Sequence, residues 1–216
     1  MEDIVIRGSG GLAREIAFLI ERINQEKPKW NLLGYIDIED IGEVKYGYEV
    51  LGDDSWFEKT KNVSCVIAIG DSKTRFKVYQ QIRNCHLDFP NIIHPKAIMG
   101  KDIEMGYGNI ITSPSGFTAG IYIGNFCLFN GLCTIGHDVV IKDFVSLMPF
   151  TAISGNVVIN TKSFIGTGAI LIPGITIGKE TIVGAGAVVL KDVKDSCTVF
   201  GNPAKIVYQK TEGKKL

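Results

Sequence analysis

Three histidines occur in this chain of 216 residues, His86, His94 and His137. Imidazole is the side chain whose ordinary pKa lies closest to neutrality, so each could move a proton at physiological pH. His86 stands in a polar segment, and His94 precedes Pro95, which reads as a turn. His137 is different, because Asp138 follows it directly. A carboxylate that accepts the Nδ1–H bond fixes the tautomer and leaves Nε2 free as a general base. Adjacent residues on a strand point to opposite faces, so contact within this pair requires a local turn.

A second candidate lies near the start. Gly8-Ser9-Gly10-Gly11-Leu12-Ala13 matches G-x-G-x-x-A through Gly8, Gly10 and Ala13. It follows an apolar run from Asp3 to Gly8 and opens a segment with Ile16, Leu19, Ile20 and Ile23 on one helical face. Strand, glycine turn and helix together place backbone N–H groups where a phosphate can be held. Asp37 ends the next apolar run, where a ribose or base would lie. A third strand at 64–70 precedes a helix over 73–84, so strands alternate with helices in a small parallel unit. The second mononucleotide half is missing, which favours one nucleotide over a dinucleotide.

What positions His137 is a repeat. Every sixth residue from Met99 through Val189 is large and apolar, sixteen in a row, with His137 two places after Ile135. Small or β-branched residues precede these by two, among them Cys127, Cys133, Val139, Val145, Thr151 and Val157. A period of six fits neither helix nor simple strand; it fits a hexapeptide β-helix with three hexads to the coil. The left-handed form is expected, as in known proteins with this repeat. The inward positions are filled, so a turn histidine must face outward. The expected fold is thus an α/β Rossmann-like small parallel sheet followed by an all-β left-handed parallel β-helix. Its boundaries are 1–93, 94–210 with a C-terminal segment, and a polar tail at 211–216.

Composition narrows the classes. Lys plus Arg equals Asp plus Glu at 23 each, so no net field draws nucleic acid. No apolar run approaches the roughly 20 residues of a membrane helix, and the start lacks the pattern of a signal peptide. Five cysteines without a CxxC pair read as reduced thiols, and a cytoplasmic location is expected. Within the repeat only His137 could ligate a metal through imidazole, so the three-histidine site of β-helix carbonic anhydrases is excluded and no metal is expected.

Taken together, these stretches resemble the bacterial nucleotide-sugar acetyltransferases of the PglD and NeuD type. The resemblance is carried by the Gly8-Ser9-Gly10-Gly11 loop, Gly34-Tyr35-Ile36-Asp37, Ala68-Ile69-Gly70-Asp71, Ile93-His94-Pro95, Asn130 through Asp138, the unbroken hexads and Gly201-Asn202-Pro203-Ala204. It implies a homotrimer with acetyl-CoA between neighbouring β-helices and a nucleotide-activated amino sugar on the α/β unit. By resemblance His137 is the base, Asp138 its carboxylate, and Asn130 lies near the reacting centre. Gly155 would offer its N–H to the acetyl carbonyl, Thr167 and Ala185 their backbones to the pantetheine arm, and Pro203, Ala204 and Lys205 would complete the acetyl-CoA site. Gly8, Gly10, Gly11, Leu12, Asp37, Ile38 and Gly70 would line the nucleotide pocket. Two positions depart from the pattern. Ser146 stands where several members carry a second histidine, and its hydroxyl could donate to the thioester oxygen. Leu12-Ala13 replaces a common His-Gly pair. The implied reaction is N-acetylation of the amino sugar; O-acetylation of a sugar or sialic acid and a non-catalytic nucleotide-binding scaffold are the alternatives.

Overall fold

The computed structural model describes residues 1–210; the polar tail expected at 211–216 lies outside the described residues. The first unit is a five-stranded sheet in the order β3-β4-β2-β1-β5, with β1 at Glu2–Arg7, β2 at Trp30–Ile36, β3 at Val44–Lys45, β4 at Tyr48–Gly52 and β5 at Ser64–Ile67. β1 runs parallel to both β2 and β5, and β4 parallel to β2; only the short edge strand β3 is antiparallel. The β-branched run Ile4-Val5-Ile6 is wholly buried, as a central parallel strand requires. Helix α1 (Gly11–Glu26) buries Ala13, Ile16, Ala17, Leu19 and Ile20 and ends at Lys27, before Pro28. A single turn, α2 (Trp56–Lys59), and then α3 (Ser72–Ile82) complete the unit, with Asp71 capping α3 by accepting the Thr74 N–H at 2.8 Å. Gly8, Asp37 and Gly70 therefore stand together at the carboxyl edge of the sheet, where open α/β sheets bind ligands.

The hexads build a three-faced parallel β-helix. Rungs on the first face are Ile110–Ile111, Leu128–Phe129, Ser146–Leu147, Phe164–Ile165 and Ile182–Val183, each paired in parallel with the equivalent rung of the next coil. The second face contains Thr134–Ile135, Ala152–Ile153, Ile170–Leu171 and Val188–Val189, and the third Val140–Ile141, Val158–Ile159 and Thr176–Ile177. The repeated apolar residues from Ile111 to Val189 form one buried column together with their small partners. Two details differ from the sequence pattern. The first rung is Ile92–Ile93, which pairs with Ile110–Ile111, so the coil begins just ahead of residue 94. Met99 lies 39% exposed, because the terminal coil has no rung beneath it to close over that position. There the strand Ile98–Met105 runs unbroken along Gly116–Ile123, spanning the second and third faces.

The two units share a core. Ile92, Ile110 and Leu128, which point outward from the first face, pack with Ile16, Leu19 and Ile20 of α1. At the corner between third and first faces, α3 adds Phe76 and Tyr79 against Phe126 and Phe144, whose rings stack at 5.1 Å. The α/β unit thus covers one face and one corner of the prism. No helix among the described residues is long and apolar enough to cross a membrane.

Candidate active site

His137 follows the rung Thr134–Ile135 and turns the chain from the second face to the third. Asp138 adopts φ +57°, the left-handed conformation, and this swings its carboxylate back toward the preceding side chain. The His137 Nδ1 to Asp138 Oδ2 distance is 2.8 Å, so the pair meets through the turn that adjacency demanded. Both side chains are about two-thirds exposed, at 64% and 63%.

Two glycines in the flanking coils make room for this pair. Gly155 occupies the place of His137 in the following coil, and a Cβ there would lie 2.6 Å from the imidazole Cε1 and Nε2. The ring therefore rests on the Gly155 backbone. Gly120 occupies the place of Asp138 in the preceding coil; a Cβ there would approach the Asp138 Oδ1 to 2.7 Å, and Gly120 itself has φ +65°. The neighbouring rungs hold the turn by Asp138 N–H to Ala119 O at 2.9 Å and Asn156 N–H to His137 O at 2.8 Å. The Gly155 N–H has no hydrogen-bond partner among the described residues. Histidine, carboxylate and a free amide thus converge on one corner. Gly120 is not among the residues singled out from sequence, although its separation from Asp138 by one coil was a usable signal.

Three of the other expected donor-site residues, Asn130, Thr167 and Ala185, occupy the far edge of the second face. Asn130 begins that corner, with Thr112 Oγ1 donating to its Oδ1 at 3.1 Å, and Thr167 and Ala185 stand one and two coils above Pro149. The N–H groups of Thr167 and Ala185 are also without partners among the described residues, while Gly186 N–H bonds Thr167 O at 2.8 Å. Ala204 lies on the last rung of the second face, its N–H donating to Val188 O at 2.8 Å, and Pro203, Ala204 and Lys205 border a cleft of about 380 Å³ with Leu190 and Lys191, on the His137 side of that face. Within one chain, then, His137 and Gly155 stand at one edge of the second face and Asn130, Thr167 and Ala185 at the other.

Ser146 requires a correction. It lies on the first face, under the α/β unit, fully buried. Its hydroxyl donates to Gly70 O at 2.7 Å and accepts from Arg75 Nη2 at 2.9 Å. The proton expected for the thioester is already committed elsewhere.

The inward cysteines of the prism, Cys127 and Cys133, offer no competing nucleophile, since burial raises both thiols. Burial pushes the Cys127 thiol up to about 12, so the thiolate form is suppressed. Among the described residues no group of three His, Cys, Asp or Glu side chains could hold a metal ion. His94 serves its turn, its Nδ1 accepting the Lys96 N–H at 3.1 Å.

At the carboxyl edge of the sheet, Gly8 has φ +114° and lies so close to Ala68 that a Cβ would meet its carbonyl oxygen at 3.1 Å. Gly10 and Gly11 are under no such constraint: φ at Gly10 is −82°, and a Cβ on either would meet nothing within 4 Å. No side chain caps the N-terminus of α1, so its first N–H groups beside Leu12 remain available to an anion. Asp37 lies 3.6 Å from the buried Arg7 guanidinium, which also binds Asp54 at 2.6 Å, and Ile38 beside it is exposed. Lys45 reaches the same loop, 3.4 Å from Ser9 Oγ, and pairs with Asp40. The corner that carries His137 lies across the prism from the first face, which the α/β unit covers.

Comparison with known proteins identifies the family and the fold. Residues 3–82 match the PglD N-terminal domain family. A GDP-perosamine N-acetyltransferase of Escherichia coli is 32% identical over 212 residues, covering 93% of this chain and 94% of that protein. A crystal structure of a perosamine N-acetyltransferase variant from Caulobacter crescentus, in complex with CoA and GDP-perosamine, superposes with a TM-score of 0.89 at 30% identity, covering 97% of this chain and 98% of the other. The acetyltransferase domain of PglB from Neisseria gonorrhoeae, in complex with acetyl coenzyme A, gives 0.87 at 27% identity, over 95% and 99%. The α/β unit, the hexapeptide prism and their order in the chain agree throughout, and the chain belongs to the PglD-type family of nucleotide-sugar acetyltransferases.

Proposed function

We propose that this protein transfers the acetyl group of acetyl-CoA to the amine of a nucleotide-linked amino sugar, with His137 as general base. The observation that carries the reading is the His137–Asp138 pair, joined at 2.8 Å and seated on Gly155. With Nδ1–H donated to the carboxylate, Nε2 takes the proton from the sugar nitrogen as that nitrogen attacks the thioester carbonyl. The resulting oxyanion is met by the unpaired Gly155 N–H; as it collapses the C–S bond breaks, the imidazolium returns its proton to the departing sulfur, and CoA thiol and the amide are released. The names and ligands of the relatives, GDP-perosamine and CoA among them, support both the acceptor class and the donor.

The arrangement also favours a homotrimer. The α/β unit covers the first face, whereas His137 stands at the opposite corner. We read a nucleotide on the Gly8–Leu12 loop as serving the histidine of a neighbouring chain and not that of its own. Around a three-fold axis, the His137 edge of one prism meets the Asn130, Thr167 and Ala185 edge of the next, which forms a groove for the pantetheine arm. The reaction belongs to the cytoplasm, where acetyl-CoA and nucleotide sugars are made.

The test is a panel of nucleotide amino sugars with thiol release from acetyl-CoA as readout, repeated with His137→Ala. The kcat should fall by about 10²–10⁴-fold while acetyl-CoA binding is retained. Activity within a few-fold of the parent would remove His137 as the base. Transfer to sialic acid hydroxyls but to no amine would replace the acceptor class.

A further inference from the structure

Among the described residues Arg75 is the largest fully buried side chain, and it forms no ion pair with a carboxylate there. Five N–H groups meet six acceptors. Nε donates to Phe126 O at 2.9 Å; Nη1 to Ile69 O at 2.6 Å and Gly70 O at 3.1 Å; Nη2 to Ser146 Oγ at 2.9 Å and, less closely, to Val145 O and Phe144 O. Ser146 in turn donates to Gly70 O at 2.7 Å, so that carbonyl receives two bonds. The acceptors come from both units: the loop after β5 on one side, one corner of the prism on the other. Burial lowers the guanidinium to about 10, which leaves it charged at neutral pH. Moving any of these carbonyls leaves part of a buried charge unsatisfied, so the arrangement permits one position of the loop. That loop lies against the glycine turn, since Ala68 and Gly8 are in near contact.

We infer that Arg75 and Ser146 are positioning residues for the acceptor: they lock the Gly70 loop to the prism and so set one wall of the nucleotide pocket. This rests on the reading that the α/β unit holds the nucleotide. The hydroxyl at 146 then serves the acceptor and not the thioester.

Ser146→Ala and Arg75→Lys provide the test, with GDP and UDP as calorimetric probes and KM measured for both substrates. Loss of one such hydrogen bond should weaken nucleoside diphosphate binding and raise acceptor KM by about three- to tenfold. The acetyl-CoA KM and kcat should stay within about twofold of the parent. A rise in acetyl-CoA KM with nucleotide binding intact would assign Ser146 to the donor and overturn the inference. Lowered thermal stability with both KM values unchanged would reduce the clamp to a structural role and overturn it equally. If the parent protein binds neither GDP nor UDP, the nucleotide reading itself fails and the inference falls with it. Ser146→Ala deletes a single oxygen and keeps the result readable should Arg75→Lys fold poorly.

Discussion

At the residue scale the site is a matter of clearances. The imidazole of His137 lies on a backbone without a side chain, and a methyl group there would sit 2.6 Å from Nε2. Gly155→Ala should displace the ring and lower kcat at least tenfold, with a small change in thermal midpoint because the corner is exposed. Steady-state kinetics beside a melting curve would separate the two effects. Asp138→Asn should also lower kcat, by less than removal of the base, since the amide can still occupy the turn but no longer stabilises imidazolium. The histidine and its carboxylate were legible in the sequence. Their contact was readable only as a condition, a local turn; Asp is among the few types that enter the left-handed region, but its type alone does not place it there. The fate of Ser146 was illegible for another reason: an outward position on a β-helix rung reads as solvent-facing until another unit is laid over it.

Elements explain why the repeat was so easy to read. An inward residue recurs every six places, and Ile141, Leu147, Ile159, Ile165, Leu171 and Ile177 are all fully buried. Ile159→Ala should cost about 2–5 kcal/mol, measurable by denaturant unfolding. The pattern weakens only at the first coil, where Met99 has rungs on one side alone. The contact between α3 and the prism is a second element-scale feature. Glu180 accepts from Lys162 at 3.1 Å and lies 3.4 Å from Lys73 of α3. The bond from Lys162, joined by the Lys73 charge, holds the Glu180 carboxyl below its ordinary value, with partial burial opposing. The charged form is thus favoured by folding, and its contribution is present above the ordinary carboxylate pKa and lost as pH falls through the lowered one. Glu180→Gln should destabilise by no more than about 1 kcal/mol near pH 7, since the group is partly exposed. That gap between parent and variant should close as pH falls below the ordinary carboxylate value of 4.5 and through the lowered one, a comparison of unfolding midpoints at several pH values.

At the scale of the whole molecule, the two edges of the second face make a prediction about mixtures. If His137 of one chain works with Asn130 of the next, His137→Ala and Asn130→Ala chains are each impaired alone. Refolded together in equal amounts, random trimers should regain about a quarter of parental activity, because one interface in four pairs two intact edges. Failure to complement would place both residues in one chain's site. The α/β-then-prism order was readable from strand–helix alternation followed by a period of six. How the units face each other was not, since it depends on Ile92, Ile110 and Leu128, whose burial no repeat position reveals.

The buried guanidinium of Arg75 bears on the chain's history and engineering. An α/β unit severed from its prism would retain an arginine whose acceptors at Phe126, Phe144, Val145 and Ser146 had gone, along with the apolar ground under α1. The two units are therefore not interchangeable parts. A new nucleotide-binding head grafted onto this prism would need to bring its own arginine, or replace the corner that receives it. Acceptor specificity in such a chimera would be inherited from the seam as much as from the pocket.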